Sequence, residues 1–298
     1  MRHAPTATSD LYCVMGHPVE HSRSPWIHTR FAALTHHALQ YVARLAPIDG
    51  FAADLQAFWA QGGRGCNVTV PFKLEAAELA DHCSPRVRLA GAANTLLRQA
   101  DGQVYADNTD GLGLVADITR NAGVTITDTD VLLIGAGGAA AGVLGPLIEQ
   151  RPRSITVCNR TAARAQALVA RHADVATLHK VQLQAKEQTG LTGNFDLIIN
   201  GTAASLQGGG IPVPASVLRP GSLAYDMMYG PAAAPFLAWA HAQGALGRDG
   251  LGMLVEQAAE AYALWRGVRP PAAQVLQELR AVVDGTVAAA AASPAVTH

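Results

Sequence analysis

An α/β fold in two domains is predicted by three observations. The 298 residues exceed one comfortable hydrophobic core, strand and helix patterns alternate from Leu11 to about Ile118, and a glycine-rich turn follows the apolar run Val131–Ile134. Hydrophobic residues make up 49% of the chain and charged residues 15%, enough apolar surface to fill two cores. The formal net charge of -1 supplies no overall attraction to nucleic acid or anionic lipid, although a local basic patch for an anionic ligand stays open. Cys13, Cys66, Cys83 and Cys158 are scattered without a Cys-x-x-Cys pair, so neither a metal site nor a disulfide framework is expected. The segment Met1 to Asp10 has no apolar signal-peptide core, and no apolar run reaches the roughly 18 residues a membrane helix needs. A cytoplasmic protein without membrane or nucleic-acid partners is expected.

The elements follow in order. Leu11 to Met15 reads as an apolar strand, and Gly16 to Pro25 is a polar cluster carrying Ser22 and Ser24 ahead of a proline-initiated helix. Alternation along Cys66–Val70 predicts a strand with Asn67 and Thr69 on one face and Val68 and Val70 packed behind. Pro71 stops that ladder and suits the first turn of a helix running through Leu74–Leu79. Lys73 then sits near a helix N-terminus, where the macrodipole disfavours a cation and eases proton loss, so it is a candidate proton donor and acceptor. Taken alone, a lysine at a helix start reads first as an ordinary solvated side chain. Asn108-Thr109-Asp110-Gly111 offers a carboxylate just before the helical pattern Leu112–Ile118, and by itself that reads as a helix cap.

A second βαβ unit begins at Val131–Ile134, a short apolar run suited to a buried parallel strand. Gly135-Ala136-Gly137-Gly138-Ala139-Ala140 follows at once, with glycine at the first and third positions and alanine at the sixth of a dinucleotide-binding fingerprint. A pyrophosphate would rest on the N-terminus of the next helix. The following strand, Ser154–Cys158, ends in Asn159-Arg160-Thr161, where an NAD enzyme places an acid for the ribose. An arginine there suits a 2'-phosphate and points to NADP; Thr161 is expected to cap the helix Ala162–Arg171, and Arg164 reads either as a second phosphate contact or as a solvated helix residue. Two further strands, Phe195–Ile199 and Ser222–Asp226, lead into Asn200-Gly201-Thr202 and Met227-Met228-Tyr229. Ligands bind beyond the carboxyl ends of strands in open α/β sheets, which makes Thr202, Met227 and Tyr229 candidates. After Gly250 the pattern is helical, with one helix through Met253 to Trp265 and a second over Pro270–Val283; the alanine-rich tail Ala288–His298 is expected to fray.

Five segments in fixed order carry a resemblance: His21-Ser22-Arg23-Ser24-Pro25, Asn67-Val68-Thr69-Val70-Pro71-Phe72-Lys73, Gly91-Ala92-Ala93-Asn94-Thr95, Asn108-Thr109-Asp110-Gly111, and Gly250-Leu251-Gly252-Met253-Leu254-Val255-Glu256-Gln257. Together with the nucleotide motif between them they resemble the signature of shikimate dehydrogenases, over residues 11 to about 270. The resemblance implies a substrate-binding domain with a mainly parallel sheet (residues 1–112 and 251–298), a Rossmann-like NADP-binding domain (residues 113–250), and C-terminal helices that return to the first domain. It implies reversible reduction of 3-dehydroshikimate by NADPH to shikimate, with Lys73 moving the proton and Asp110 orienting it. Ser22 and Ser24, helped by Thr69 and Tyr229, would take the substrate carboxylate; Asn67, Asn94, Asp110 and Gln257 would meet the hydroxyls. Gly135, Ala136, Gly137, Gly138, Ala139, Asn159, Arg160, Thr161, Arg164, Thr202, Met227 and Gly250 would hold the cofactor. The chain departs from the family after Tyr229, where Ala232-Ala233-Ala234 replaces a stretch that commonly holds a threonine. A quinate or dual quinate/shikimate dehydrogenase is the nearest alternative, and a non-catalytic NADP-binding sensor a more distant one that retention of both Lys73 and Asp110 disfavours. A monomer or a homodimer fits the sequence equally well.

Overall fold

The computed structural model describes residues 9–188, 190–202, 211 and 213–285. The first half runs β1 (Asp10–Gly16), α1 (Ser24–Thr35), β2 (Leu39–Leu45), α2 (Phe51–Ala60), β3 (Gly63–Val68), α3 (Lys73–Glu78), β4 (His82–Cys83), α4 (Pro85–Ala90), β5 (Thr95–Arg98) and β6 (Val104–Asp107). It continues with α5 (Asp110–Ala116), a π-helical turn over Asp117–Asn121, β7 (Asp130–Ile134), α6 (Gly138–Glu149), β8 (Ser154–Asn159), α7 (Ala162–His179) and β9 (Gln182–Glu187). The remainder is β10 (Leu197–Asn200), β11 (Leu223–Asp226), α8 (Ala234–Ala242), β12 (Leu246–Arg248), α9 (Leu251–Arg266) and α10 (Ala272–Val283).

The chain divides into two compact units. Among the described residues, one holds 9–87, Ala92–Thr109 and 258–285; the other holds Arg88–Gly91 and the described part of Asp110–Gln257. The division falls inside α9, between Gln257 and Ala258, so the C-terminal half of that helix and all of α10 belong with the N-terminal elements.

In the first unit six strands lie in the order β2-β1-β3-β5-β6-β4. β1 pairs in parallel with β2 and β3, and β4 with β6, whereas β5 runs antiparallel to both of its neighbours. Alternation along β1 splits its side chains between two cores. Cys13 and Met15 pack with α2 residues Phe51, Leu55 and Phe58 on one face, and Tyr12 and Val14 pack with Tyr41 and Trp265 on the other. On that second side, Arg30 of α1 donates two hydrogen bonds to Glu278 of α10, at 2.6 and 2.8 Å.

The hairpin β5–β6 interrupts the predicted alternation of strand and helix. Its consequence is positional: the beginning of β5 lies beside the end of β3, with Thr95 opposite Asn67 and Asp107 opposite Thr95. Polar residues far apart in sequence therefore collect at one sheet edge.

The second unit has six parallel strands in the order β12-β11-β10-β7-β8-β9. This is the doubly wound arrangement, with strand order reversing beside β7. Val131 and Leu133 face a core shared with α5, α6 and α7, whereas Leu132 and Ile134 face one shared with Phe236 and Ala240 of α8. Both faces of β7 are covered, which explains its unbroken apolar sequence. Among the described residues no helix is long and apolar enough to cross a membrane, and no cluster of side chains could hold a metal ion.

Three local expectations change. Val70 is 67% exposed and does not pack behind the strand, because β3 ends at Val68 and the chain has already turned. Pro71 stands before the helix, in the turn leading to it, and Lys73 is the first residue of α3. Thr161 occupies the N-cap position of α7 but makes no side-chain cap bond, and the helix continues beyond Arg171 to His179. The tail from Ala288 lies outside the described residues.

Candidate active site

In the first unit a hydrogen-bonded chain of polar side chains runs along the β3/β5 edge. Tyr41 donates from its hydroxyl to Asn67 Oδ1 at 2.7 Å, and Asn67 Nδ2 donates to Asn94 O at 3.2 Å and to Thr95 Oγ1 at 3.1 Å. Asn94 Oδ1 accepts from the Thr95 hydroxyl at 2.9 Å and from Thr109 N at 2.8 Å, and Asn94 Nδ2 donates to Thr109 Oγ1 at 3.0 Å. Asn67, Asn94, Thr95 and Thr109 are all buried, so each bond satisfies a group that water does not reach.

Backbone bonds fix the segments that carry these side chains. Thr69 N donates to Met15 O at 2.9 Å, and Ala93 N donates to Lys73 O at 2.8 Å, which ties the start of α3 to the residue before Asn94. The Asp107 carboxylate accepts from Ser84 Oγ at 2.7 Å, from Arg86 at 2.7 and 3.1 Å, and from Asn108 N at 2.7 Å. That buried anchor sets the direction in which Thr109 and Asp110 leave β6. Lys73 and Thr69 are partly exposed. Ser22 accepts from Ser24 N at 3.3 Å, and Ser24 is itself buried. His17 bonds Ala46 O at 2.9 Å, which accounts for that ring as a support of the loop.

In the second unit Asp110 is the first residue of α5 and is buried. One turn later, a Cβ on Gly113 would lie 2.6 Å from the backbone nitrogen of Gln257. Only glycine permits that crossing, and it brings Gln257 of α9 onto the face of α5 that starts at Asp110. Gln257 Nε2 donates to Leu254 O at 2.8 Å.

The glycine turn lies at the carboxyl end of β7. Gly135 has φ of +109° and donates to Cys158 O at 2.7 Å, a conformation open to glycine. Cβ atoms placed on Gly137 and Gly138 would meet nothing within 4 Å, so the cradle at the start of α6 is open at these two positions. Backbone N–H groups at that helix start suit a pyrophosphate, and the cradle fits one. Thr202 lies against Gly135, and Met227 Sδ is 3.3 Å from where a Gly201 Cβ would stand, so the ends of β7, β10 and β11 converge. Asn200 links two of them, accepting from Thr202 Oγ1 at 2.7 Å and donating to Asp226 Oδ1 at 3.2 Å. Burial pushes the Asp226 carboxyl up to about 6, against the hydrogen bonds from Met228 N and Asn200. Gly250 N donates to Met228 O at 2.8 Å, and Asp249 accepts from Gly230 N and Leu251 N, both at 3.3 Å, which fixes the turn carrying Tyr229 to the start of α9. Tyr229 is partly exposed. At the end of β8, Asn159 Nδ2 donates to Thr161 O at 3.0 Å, and Arg160, Thr161 and Arg164 are exposed.

Comparison with known proteins places this geometry. The family model for the shikimate dehydrogenase substrate binding domain matches residues 14–96, that for shikimate / quinate 5-dehydrogenase residues 117–207, and that for the shikimate 5'-dehydrogenase C-terminal domain residues 250–280. A shikimate dehydrogenase (NADP(+)) of Acidovorax ebreus is 69% identical over 278 residues, 93% of this chain and 98% of the relative. The chain belongs to the shikimate dehydrogenase family. Among solved structures, an Ael1 enzyme from Pseudomonas putida is 43% identical with a TM-score of 0.83, covering 91% of this chain and 98% of its own. A shikimate 5-dehydrogenase from Thermus thermophilus in complex with NADP(H) and shikimate is 30% identical with a TM-score of 0.80, covering 91% and 98%. The two-unit α/β architecture is therefore that of the shikimate dehydrogenases.

Sequence reasoning missed Tyr41, Thr95, Asp107, Asn200 and Asp226 as parts of the polar networks. Asn200 and Asp226 had a visible signal, since each is a polar residue closing an apolar strand. Tyr41 and Thr95 had none, because a tyrosine and a threonine in strands read as packing residues.

Proposed function

We propose that this chain catalyses the reversible reduction of 3-dehydroshikimate by NADPH to shikimate, in the cytoplasmic pathway to chorismate and the aromatic amino acids. The observation that carries the reading is the 69% identity, over almost the whole of both chains, to a relative named shikimate dehydrogenase (NADP(+)). Arg160 at the end of β8 supports the choice of NADP, because a guanidinium fork matches a 2'-phosphate where an acid would repel it.

When bound, the nicotinamide supplies or accepts the hydride. Most of the proposed substrate contacts lie in the first unit, and the doubly wound unit serves the cofactor. Gly135, Ala136, Gly137, Gly138 and Ala139 would hold the pyrophosphate; Asn159, Arg160, Thr161 and Arg164 the adenosine phosphate; Thr202, Met227 and Gly250 the nicotinamide end. Lys73 Nζ gives a proton to the carbonyl oxygen in reduction and takes it back in oxidation, and the Asp110 carboxylate orients it. Ser22, Ser24, Thr69 and Tyr229 hold the substrate carboxylate, while Asn67, Asn94, Asp110 and Gln257 meet the ring hydroxyls. Asn94 does so from a position already tied to Thr109, so it also holds the strand end from which Asp110 follows.

The test is NADP reduction with shikimate, repeated with quinate and with NAD. Turnover with shikimate and NADP well above the other pairings is the expected result. Equal or better turnover with quinate would move the chain to the quinate branch that one matching family model also names. No turnover with any pairing would overturn the reading.

A further inference from the structure

We propose that Tyr41 is a positioning residue that locks the Asn67 side-chain amide so that it meets a substrate hydroxyl only as a hydrogen-bond acceptor. This rests on the reading of Asn67 as a substrate contact and adds the direction of that contact and the group that sets it.

The argument is one of donors and acceptors. The two ends of an asparagine amide are told apart by their partners. One end of the Asn67 amide lies 3.2 Å from Asn94 O, a backbone carbonyl that can only accept, so that end is the nitrogen. Its second proton goes to Thr95 Oγ1 at 3.1 Å, and both amide protons are then used. The oxygen end faces the Tyr41 hydroxyl at 2.7 Å, which must donate to it. What Asn67 has left is one lone pair on Oδ1, since the neighbouring His28 ring, though close enough to feel the amide, makes no hydrogen bond with it. A ligand group bonded there has to bring its own proton.

Tyr41 is built to hold that bond. It is 2% exposed on β2, its ring stacks on His28 with centroids 4.2 Å apart and planes 3° from parallel, and Trp265 closes the cluster at 6.3 Å. Burial, with Cys13 and Cys66 nearby, pushes the phenol well above its ordinary value, so it stays a proton donor at any working pH. Rotation of the amide by half a turn would take the acceptor away from the Tyr41 hydroxyl, leaving its proton to the neighbouring Ser24, and would set Oδ1 against the Asn94 carbonyl, acceptor against acceptor. Tyr41 and Asn94 O therefore exclude the flipped amide from opposite sides.

The experiment is calorimetric binding of shikimate, which needs no turnover, to the parent, to Tyr41→Phe and to Thr95→Val, with NADP as control ligand. Deoxy and fluoro analogues, each altered at one ring hydroxyl, complete the set. Tyr41→Phe is expected to weaken shikimate about three- to tenfold, the worth of one hydrogen bond, with NADP affinity unchanged. For the analogues altered at one particular carbon that loss should vanish. On the parent, the fluoro analogue at that carbon should bind no better than the deoxy one, since fluorine brings no proton. Thr95→Val leaves Nδ2 held on Asn94 O, so the fluoro analogue should bind that variant no better than the deoxy one; this comparison, like the one on the parent, needs no Tyr41 variant and keeps the test alive should Tyr41→Phe fail to fold. Unchanged shikimate affinity in a folded Tyr41→Phe, or equal losses for every analogue and for NADP, overturns the inference. A fluoro analogue that binds the parent as well as shikimate does so too. A parent that binds no shikimate overturns the functional reading itself and this inference with it.

Discussion

Replacing His28 by phenylalanine isolates the effect of one buried imidazole on acid stability. The ring is 0% exposed, packs among Tyr41, Phe31, Tyr262 and Trp265, and finds no hydrogen-bond partner for either nitrogen. Burial lowers its pKa from 6.5 to about 3, partly countered by the neighbouring Asn67. The folded form holds this histidine neutral, whereas the unfolded chain protonates it below 6.5, so its contribution is fully present above 6.5 and is lost as pH falls toward about 3. The loss proceeds at about 1.4 kcal/mol per pH unit and amounts to about 2 kcal/mol by pH 5. Many carboxylates also titrate below pH 5, so the quantity to measure is the stability difference between parent and His28→Phe, in which groups common to both cancel. Asp226 is one of them; its raised pKa acts with the opposite sign, favouring the fold below 3.8 and losing that effect as pH rises through about 6. Urea unfolding at pH 7.5, 6.5, 5.5 and 5.0, followed by fluorescence, should show the gap moving in favour of the variant by about 2 kcal/mol across the series. A gap that stays constant would mean that His28 is protonated in the fold, or solvated through motion, and would refute the argument.

Other perturbations have distinct expected outcomes. Arg248→Met strips the fully buried Asp117 carboxylate of the guanidinium that binds it at 2.6 and 2.8 Å, leaving Tyr225 and Asn121 as neutral donors; destabilisation of about 3–5 kcal/mol is expected in urea unfolding, with partial recovery when Asp117→Leu is added. Lys73→Ala and Asp110→Asn should each lower turnover by roughly 10²- to 10⁴-fold with NADP affinity nearly unchanged in fluorescence titration, and near-normal turnover in either variant would remove the proposed proton transfer. Arg160→Ala should weaken NADP and leave the slower NAD reaction as it was, while a variant that discriminates as strongly as the parent would shift the phosphate contact to Arg164.

Local rules sufficed wherever the physics is local. A glycine with φ of +109° between an apolar strand and a helix start is a short-range requirement, so the Gly135–Ala139 turn was legible from its own residues. The same holds for Lys73 at the head of α3 and Asp110 at the head of α5, since proline, cap and periodicity signals all act within a turn of the chain. Even within that range Val70 and Thr161 were misread, because where a strand stops and whether a cap bond forms depend on a turn geometry that composition does not specify. Only tertiary structure decided which polar groups meet. Asn94 stands beside Asn67 because β5 runs antiparallel to β3, Gln257 lies on the face of α5 begun by Asp110 because Gly113 lets two helices touch, and Asp117 meets Arg248 across 131 positions of sequence. Strand direction and helix crossing are set by the burial of whole faces, a sum over many side chains. The hydrogen-bond partners of any one polar residue follow from that sum and leave no mark in its neighbours.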